Sequence, residues 1–149
     1  MPASRNRVEI LHGVNLDMLG RRSEEHYGTL SLRELEGQIK RFARELDLEA
    51  AFFQTNHEGE YVERLHRLPD AVDAAILNPG AWTHYSWAIR DALESAALPA
   101  VEVHLSEIGS REEWRRRSVL EGLVLGVVSG EGPEGYRRAL EMVRAELDG

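Results

Sequence analysis

The chain has 149 residues and a net charge of −8, with 42% hydrophobic and 30% charged residues. These values are ordinary for one soluble globular domain spanning 1–149, and no apolar run approaches the roughly 20 residues that a membrane span requires. The acidic balance argues against a nucleic-acid surface, because duplex binding needs a basic stripe. The lack of cysteine excludes disulfides and thiolate sites, and no apolar signal segment follows the N-terminus, so we expect a cytoplasmic protein.

Short apolar runs alternate with amphipathic stretches along the whole chain. The runs that we predict to be strands are Arg7–His12, Glu49–Gln54, Asp73–Leu77, Ala100–Leu105 and Leu123–Val128. The stretches that we predict to be helices carry, on their inward faces, Leu32, Leu35, Ile39, Phe42 and Leu46; Tyr61, Val62, Leu65 and Leu68; Trp87, Ile89, Leu93 and Ala97; and Tyr136, Leu140 and Val143. This alternation predicts an α/β fold whose parallel sheet is covered on both faces.

Two capping-box patterns mark helix starts. Ser31 with Glu34 precedes the first helix, and Ser110 with Glu113 precedes a short basic helix. Between the first strand and the first helix lies a long loop, 16–29, rich in Gly, Arg and Glu. A loop of that length in a compact domain is often functional.

The third strand stops on a polar turn, Asn78-Pro79-Gly80, which is followed by Thr83 and His84. Ligands of open α/β sheets bind outside the carboxyl ends of the strands, so these side chains are candidates for a site. Asn-Pro-Gly is also ordinary turn chemistry, and the segment alone favours a turn.

Glu102, His104 and Ser106 alternate along the fourth strand and therefore share one face of it. A carboxylate beside an imidazole can fix its tautomer, as is common for a general acid or base histidine. A hydrogen-bonded edge strand would explain the same pattern. The stretch 111–117 concentrates four arginines, which could bind a small anion or could form a solvated helix face.

Nothing in the sequence indicates a metal or an organic cofactor. There is no G-x-G-x-x-G, no Walker lysine and no run of hydroxyls after the first strand. A zinc site built from His84, Asp91 and His104 would have no recognised spacing. The remaining histidines look like isolated surface or strand-end residues, namely His12, His26, His57 and His66.

Six segments of the chain together resemble the type II 3-dehydroquinate dehydratases, or type II dehydroquinases, of the shikimate and quinate pathways. The matching segments, in the order and spacing of that family, are 12–22, Tyr27-Gly28, 76–84, Arg90-Asp91, 102–106 and 111–115. The resemblance implies a flavodoxin-like fold with strand order 2-1-3-4-5. Two departures stand out: Val14 replaces the proline of the family's Asn-Gly-Pro-Asn, and 23–25 replaces a segment that contains Glu-Pro. We expect a less rigid first loop as a result.

The resemblance implies a lyase that reversibly removes water from 3-dehydroquinate, through an enolate, without metal or cofactor. Tyr27 would be the base, held as tyrosinate by the positive charges of Arg22 and Arg111. Asn15 would hold a water at the enolate oxygen. His104, oriented by Glu102, would protonate the departing hydroxyl.

The resemblance also implies how substrate and subunits are held. Residues expected on the substrate are Asn78, His84 and Arg115 at ring hydroxyls, with Ser106 and the backbone of Leu105 at the carboxylate. Asp91 is expected from a neighbouring subunit of a dodecamer built from four trimers. Such an assembly would cover exposed aromatics, which we predict to be Trp82, Tyr85 and Trp87. The alternatives are a noncatalytic binding module of the same fold and a flavin-binding electron carrier.

Overall fold

A five-stranded parallel sheet forms the centre of the computed structural model, which describes residues 5–21, 30–107 and 112–149. The strands are β1 (Arg7–His12), β2 (Glu49–Gln54), β3 (Ala74–Asn78), β4 (Ala100–His104) and β5 (Val127–Ser129). Their order is β2-β1-β3-β4-β5, and every neighbouring pair is parallel. The flavodoxin-like fold with strand order 2-1-3-4-5 is therefore confirmed.

Helices cover both faces of this sheet. Those in the described residues are α1 (Leu32–Glu45), α2 (Glu58–Arg67), α3 (Trp87–Ala96) and α4 (Glu134–Asp148). On one face α1 and α4 pack over β1 residues such as Val8 and Ile10. On the other face α2 and α3 pack over Leu11, whose side chain points the opposite way along the same strand. None of these helices is long and apolar enough to cross a bilayer.

The start of α1 confirms the first capping-box prediction. The Ser31 hydroxyl accepts a hydrogen bond from the Glu34 backbone N–H at 3.1 Å, and a Glu34 carboxylate oxygen accepts one from the Ser31 N–H at 3.1 Å. Such caps typically contribute about 1 kcal/mol. Leu35 and Ile39 are fully buried behind the cap, as the helical period predicts.

Of the aromatics predicted to be exposed, Trp87 is exposed and Trp82 is not, and the placement of Trp87 on the inward face of its helix is wrong. Trp87 occupies the first position of α3 and is 65% exposed, so it does not reach the sheet. Trp82 lies in the 3₁₀ turn Gly80–His84, is buried, and packs edge-on against Tyr61 with 5.5 Å between ring centroids. Ala97 is also misplaced, because it ends α3 in the left-handed conformation and is exposed. The exposed aromatics at this end are therefore Trp87 and Tyr85.

The boundaries of the three later strands also differ from the prediction. β3 is shifted by one residue and includes Asn78, and β4 ends at His104 instead of Leu105. β5 is only three residues long, because most of the apolar stretch 123–128 forms turns before it reaches the sheet. Leu123 still packs into the α2/α3 side of the core, so its apolarity reflects burial and not strand pairing.

Ser110, the predicted first residue of the second capping box, lies outside the described residues. The residues after it form a single 3₁₀ turn, Glu113–Arg115, with Glu112 at its start and no side-chain cap. The predicted short basic helix is therefore wrong for the described part of this stretch.

Candidate active site

The carboxyl ends of β1, β3 and β4 lie side by side at one edge of the sheet. His12 at the end of β1 is in register with Asn78 at the end of β3, and β4 ends next to them at His104. Parallel pairing alone produces this arrangement, since all strands point the same way. Side chains from distant parts of the sequence therefore meet at one place.

Two glycines bring the loops after β1 and β3 into backbone contact. The Gly13 N–H donates to the Asn78 carbonyl at 2.8 Å, and a Cβ on Gly13 would lie 2.3 Å from the Pro79 oxygen. Gly80 has a φ of +66°, and a Cβ there would lie 2.5 Å from the Val14 oxygen. Only glycine fits at either position, so the two loops form one unit.

A buried carboxylate network orients His104. The Glu102 side chain is fully buried, and its Oε2 accepts hydrogen bonds from His104 Nε2 and Thr83 Oγ1. Its Oε1 accepts one from Ser118 Oγ at 2.5 Å. Burial acts to raise the pKa of Glu102, but the hydrogen bonds and the positive charge of His104 outweigh it, so the pKa lies below its usual value. The carboxylate is thus ionised at neutral pH.

The structure therefore brings Glu102 and His104 together as predicted. The edge-strand interpretation is wrong, because β4 lies between β3 and β5. Ser106 does not continue the strand face, since β4 ends at His104 and a bend follows. Leu105 and Ser106, both half-buried, lie in that bend.

His84 lies next to an aromatic and cationic group from the 112–117 segment. Its Nδ1–H donates to the Arg117 carbonyl at 2.7 Å, and its ring meets Trp114 edge-on at 5.5 Å. The Arg115 guanidinium lies over the same Trp114 ring, 4.5 Å from its centroid. It also forms an ion pair with Glu112 at 2.8 Å. Burial lowers the pKa of His84 despite the opposing effect of the Arg117 carbonyl. The result is a neutral ring whose proton is on Nδ1 and whose Nε2 can accept a hydrogen bond.

The loop after β1 holds Asn15 in the left-handed conformation, with a φ of 70°. Its backbone N–H donates to the Asn56 side-chain oxygen at 2.8 Å. Gln54 donates to the Gly13 carbonyl at 3.2 Å, so the end of β2 supports this loop. The Asn15 side chain remains exposed beside the strand ends.

Asn78 is 4% exposed, and its side chain is hydrogen-bonded to a residue that the sequence analysis did not select as part of a site. Its Nδ2 donates to the Tyr136 hydroxyl at 3.0 Å, and the same hydroxyl lies 2.8 Å from His12 Nε2. His12 does lie at the end of a strand, as predicted, but it is not an isolated surface histidine, because its side chain is fully buried and contacts Tyr136. The position of Tyr136 on the inward face of a helix could have indicated such a contact, since a buried hydroxyl needs a hydrogen-bond partner.

The remaining predicted site residues divide into two groups. Arg22, Tyr27 and Arg111 lie outside the described residues, as does His26. Asp91 lies on α3 and is exposed. Within the described ranges, no three His, Asp or Glu side chains converge as a metal site requires.

Comparison with known proteins assigns the chain to a family. The family model described as dehydroquinase class II matches residues 6–144. A 3-dehydroquinate dehydratase of Halothermothrix orenii is 48% identical over 138 residues, covering 93% of each chain. One of Thermotoga petrophila is 49% identical over 142 residues, covering 95% of this chain and 97% of the relative.

Solved structures agree with that assignment. The type II dehydroquinase of Propionibacterium acnes superposes with a TM-score of 0.89 at 36% identity, covering 97% of this chain and 99% of the other. The type II dehydroquinase of Butyrivibrio crossotus gives 0.91 at 35% identity, covering 99% and 100%. With family model, sequence relatives and fold in agreement, the chain belongs to the dehydroquinase class II family.

Proposed function

We propose that the protein catalyses the reversible trans-dehydration of 3-dehydroquinate to 3-dehydroshikimate through an enolate, without metal or organic cofactor. The observation that carries this proposal is the buried Glu102–His104 pair at the same sheet edge as Asn78 and His84. The family assignment supplies the reaction type, and the pair supplies a group able to move a proton.

The first step needs a base for a proton next to a ketone. That proton is weakly acidic, so the base must be strong and yet deprotonated near neutral pH. A tyrosine titrates near ~10 when unperturbed. We assign this role to Tyr27, with the positive charges of Arg22 and Arg111 favouring the tyrosinate.

The second step needs a stabilised enolate and an acid for the departing hydroxyl. We assign stabilisation of the enolate oxygen to a water molecule that the exposed side chain of Asn15 holds. His104 turns its Nε2 toward Glu102, which leaves Nδ1 to deliver the proton. The anionic carboxylate orients the imidazole, and its negative charge stabilises the protonated ring that acts as the acid.

Substrate binding is assigned to the groups around this pair. Asn78, His84 and Arg115 would contact ring hydroxyls, as a carboxamide, a neutral imidazole and a guanidinium can. The Leu105 backbone and the Ser106 hydroxyl would bind the carboxylate. Both follow β4 directly and are half-buried.

We further propose that the site is completed by a neighbouring subunit in a dodecamer of four trimers in the cytoplasm. Asp91 faces outward on α3, and Trp87 is exposed one turn before it. The apolar ring next to the carboxylate would pack against the neighbour, so that Asp91 reaches the neighbour's pocket.

The experiment is to incubate the protein with 3-dehydroquinate and to follow the ultraviolet absorbance of the conjugated enone. We expect turnover by the wild type, and a loss of roughly 10² to 10⁴ in kcat for Tyr27→Phe and for His104→Ala. Tyr85→Phe and His66→Ala are matched controls, since both residues are exposed and neither is assigned a role in catalysis or substrate binding. Wild-type kcat in Tyr27→Phe or His104→Ala would refute that residue's assignment, and an inactive wild type would refute the proposed reaction.

A further inference from the structure

The hydroxyl of Tyr136 lies between two polar side chains at the ends of neighbouring strands. It is 2.8 Å from His12 Nε2 and 3.0 Å from Asn78 Nδ2, and the two rings are 5.6 Å apart between centroids. Tyr136 and His12 are both fully buried. The three side chains come from α4, β1 and β3, so they form a link across one face of the sheet.

The direction of each hydrogen bond follows from the donors available. The Gly80 N–H donates to Asn78 Oδ1 at 3.3 Å, which places the Oδ1 on the Gly80 side and Nδ2 on the Tyr136 side. Nδ2–H therefore donates to the Tyr136 hydroxyl. The hydroxyl proton is left for His12, whose Nε2 must then be unprotonated.

His12 is suited to that acceptor role. Burial lowers the pKa of His12 to about 3, so the ring is neutral at physiological pH. Its single proton is on Nδ1, which has no hydrogen-bond partner among the described residues. The neutral ring thus fixes which way the Tyr136 hydroxyl points.

We infer that Tyr136, oriented by His12, is a positioning residue that fixes the Asn78 carboxamide for a hydroxyl of the substrate. Asn78 Nδ2 carries two protons, and Tyr136 takes one of them, which leaves one N–H and one Oδ1 lone pair for a ligand. An amide that can rotate would present its donor and acceptor in either order. The inference rests on the proposed function, because that proposal places Asn78 on the substrate.

Tyr61 provides a matched comparison within the same protein. It is also fully buried, and its hydroxyl donates to the Leu11 carbonyl at 2.9 Å. That bond ends on backbone, whereas the Tyr136 bond ends on a side chain assigned to substrate. Removing either hydroxyl breaks a buried hydrogen bond, but only one of them frees Asn78.

The experiment compares Tyr136→Phe with Tyr61→Phe. We expect Tyr136→Phe to raise the KM for 3-dehydroquinate by about five- to tenfold, the effect of roughly one hydrogen bond, with a much smaller change in kcat. Tyr61→Phe should leave KM unchanged, although thermal melting should show that both variants lose stability. Equal KM values in the two variants, with an active wild type, would overturn the inference and leave the proposed function intact.

A double-mutant cycle shows whether Tyr136 acts through Asn78. In an Asn78→Ala background, Tyr136→Phe should add no further increase in KM. An additive increase would overturn the inference, since Tyr136 would then act by another route.

A readout without turnover keeps the two proposals separate. The side-chain amide of Asn78, identified in NMR spectra by its loss in Asn78→Ala, should be protected from solvent exchange in wild type and Tyr61→Phe but not in Tyr136→Phe. Equal protection in all three would overturn the positioning role. If the amide behaves as expected while the wild type neither binds nor dehydrates 3-dehydroquinate, the proposed function fails and the assignment of the substrate hydroxyl fails with it.

Discussion

The side chain of Asn56, just beyond β2, holds the backbone of Asn15 in a left-handed conformation at the end of β1. Asn56 Oδ1 accepts the Asn15 N–H at 2.8 Å, and Asn56 Nδ2 donates to Asp17 at 3.2 Å. Val14 stands where the family usually has proline, so this loop lacks one covalent restraint. Hydrogen bonds from the next strand restrain it instead.

Asn56→Ala should therefore reduce kcat by about tenfold, because it removes the hydrogen bond that holds Asn15, and one such bond corresponds to roughly that factor. Steady-state kinetics with 3-dehydroquinate measure the effect. Asp17→Ala is the control, since it removes only the second bond of Asn56. Similar losses in both variants would show that the Asn15 N–H is not the important contact.

Glu102→Gln should lower kcat by about tenfold or more, as part of the roughly 10² to 10⁴ that a general acid contributes. The change keeps the shape of the side chain but removes the charge that orients His104. Ser118→Ala removes one of the donors to the same carboxylate and should cost less. The comparison is of kcat at saturating substrate, and an unimpaired Glu102→Gln enzyme would contradict the role of the pair.

Gly13→Ala should destabilise the fold by about 1–3 kcal/mol, the usual cost of overpacking. The added Cβ would meet the Pro79 backbone, which cannot move without separating the two active-site loops. Gly37→Ala is the opposite case, because the helical Gly37 has open space around it and should gain roughly 0.5–1 kcal/mol. Urea unfolding of the two variants measures both values, and equal stabilities would be the contrary result.

His12 should make the protein sensitive to acid. Its pKa is about 3 in the folded state against 6.5 ordinarily, so between these values the unfolded chain binds a proton that the folded chain excludes. The free energy of unfolding should therefore fall as the pH drops from 6.5 toward about 3, by up to ~1.4 kcal/mol per pH unit. Other groups add to the acid sensitivity, so the difference between variants is the measurement.

His12→Asn should flatten this dependence, since asparagine does not titrate. His66→Asn removes an exposed histidine and should leave the curve unchanged. Denaturant unfolding between about pH 4 and pH 7 compares the three proteins. A His12→Asn curve parallel to the wild-type curve would show that His12 does not carry the effect.

Asp91 should act across a subunit interface. Mixing inactive Tyr27→Phe with inactive Asp91→Ala, under conditions of subunit exchange, should restore part of the activity, because some pockets then combine an intact Tyr27 with an intact neighbouring Asp91. Mixing Tyr27→Phe with His104→Ala should restore nothing, since both residues belong to one subunit's pocket. No recovery in the first mixture, with exchange demonstrated by mass spectrometry, would place Asp91 in its own subunit.

The sequence by itself determined the elements whose signals are local. The helical period and the Ser31–Glu34 cap define α1, and short apolar runs define β1 and β2 at their observed bounds. The alternation Glu102-x-His104 places a carboxylate beside an imidazole, because strand side chains repeat every two residues. These features depend on neighbours within a few residues, so periodicity can reveal them.

Only the tertiary structure decided the contacts between distant segments. Tyr136 and His12 are 124 positions apart in the sequence. The helical pattern predicts only that Tyr136 faces the core, as it does for any apolar residue on that face, and does not predict its hydroxyl's partner. Trp82 is buried, although we predicted it to be exposed, because a 3₁₀ turn carries its side chain inward. Leu123 and Val124 are partly buried against the core, although they do not pair as a strand, and Leu125 between them and β5 is exposed. Burial and hydrogen-bond satisfaction are properties of the packed molecule, and one-dimensional patterns report them only where the partners are close in the chain.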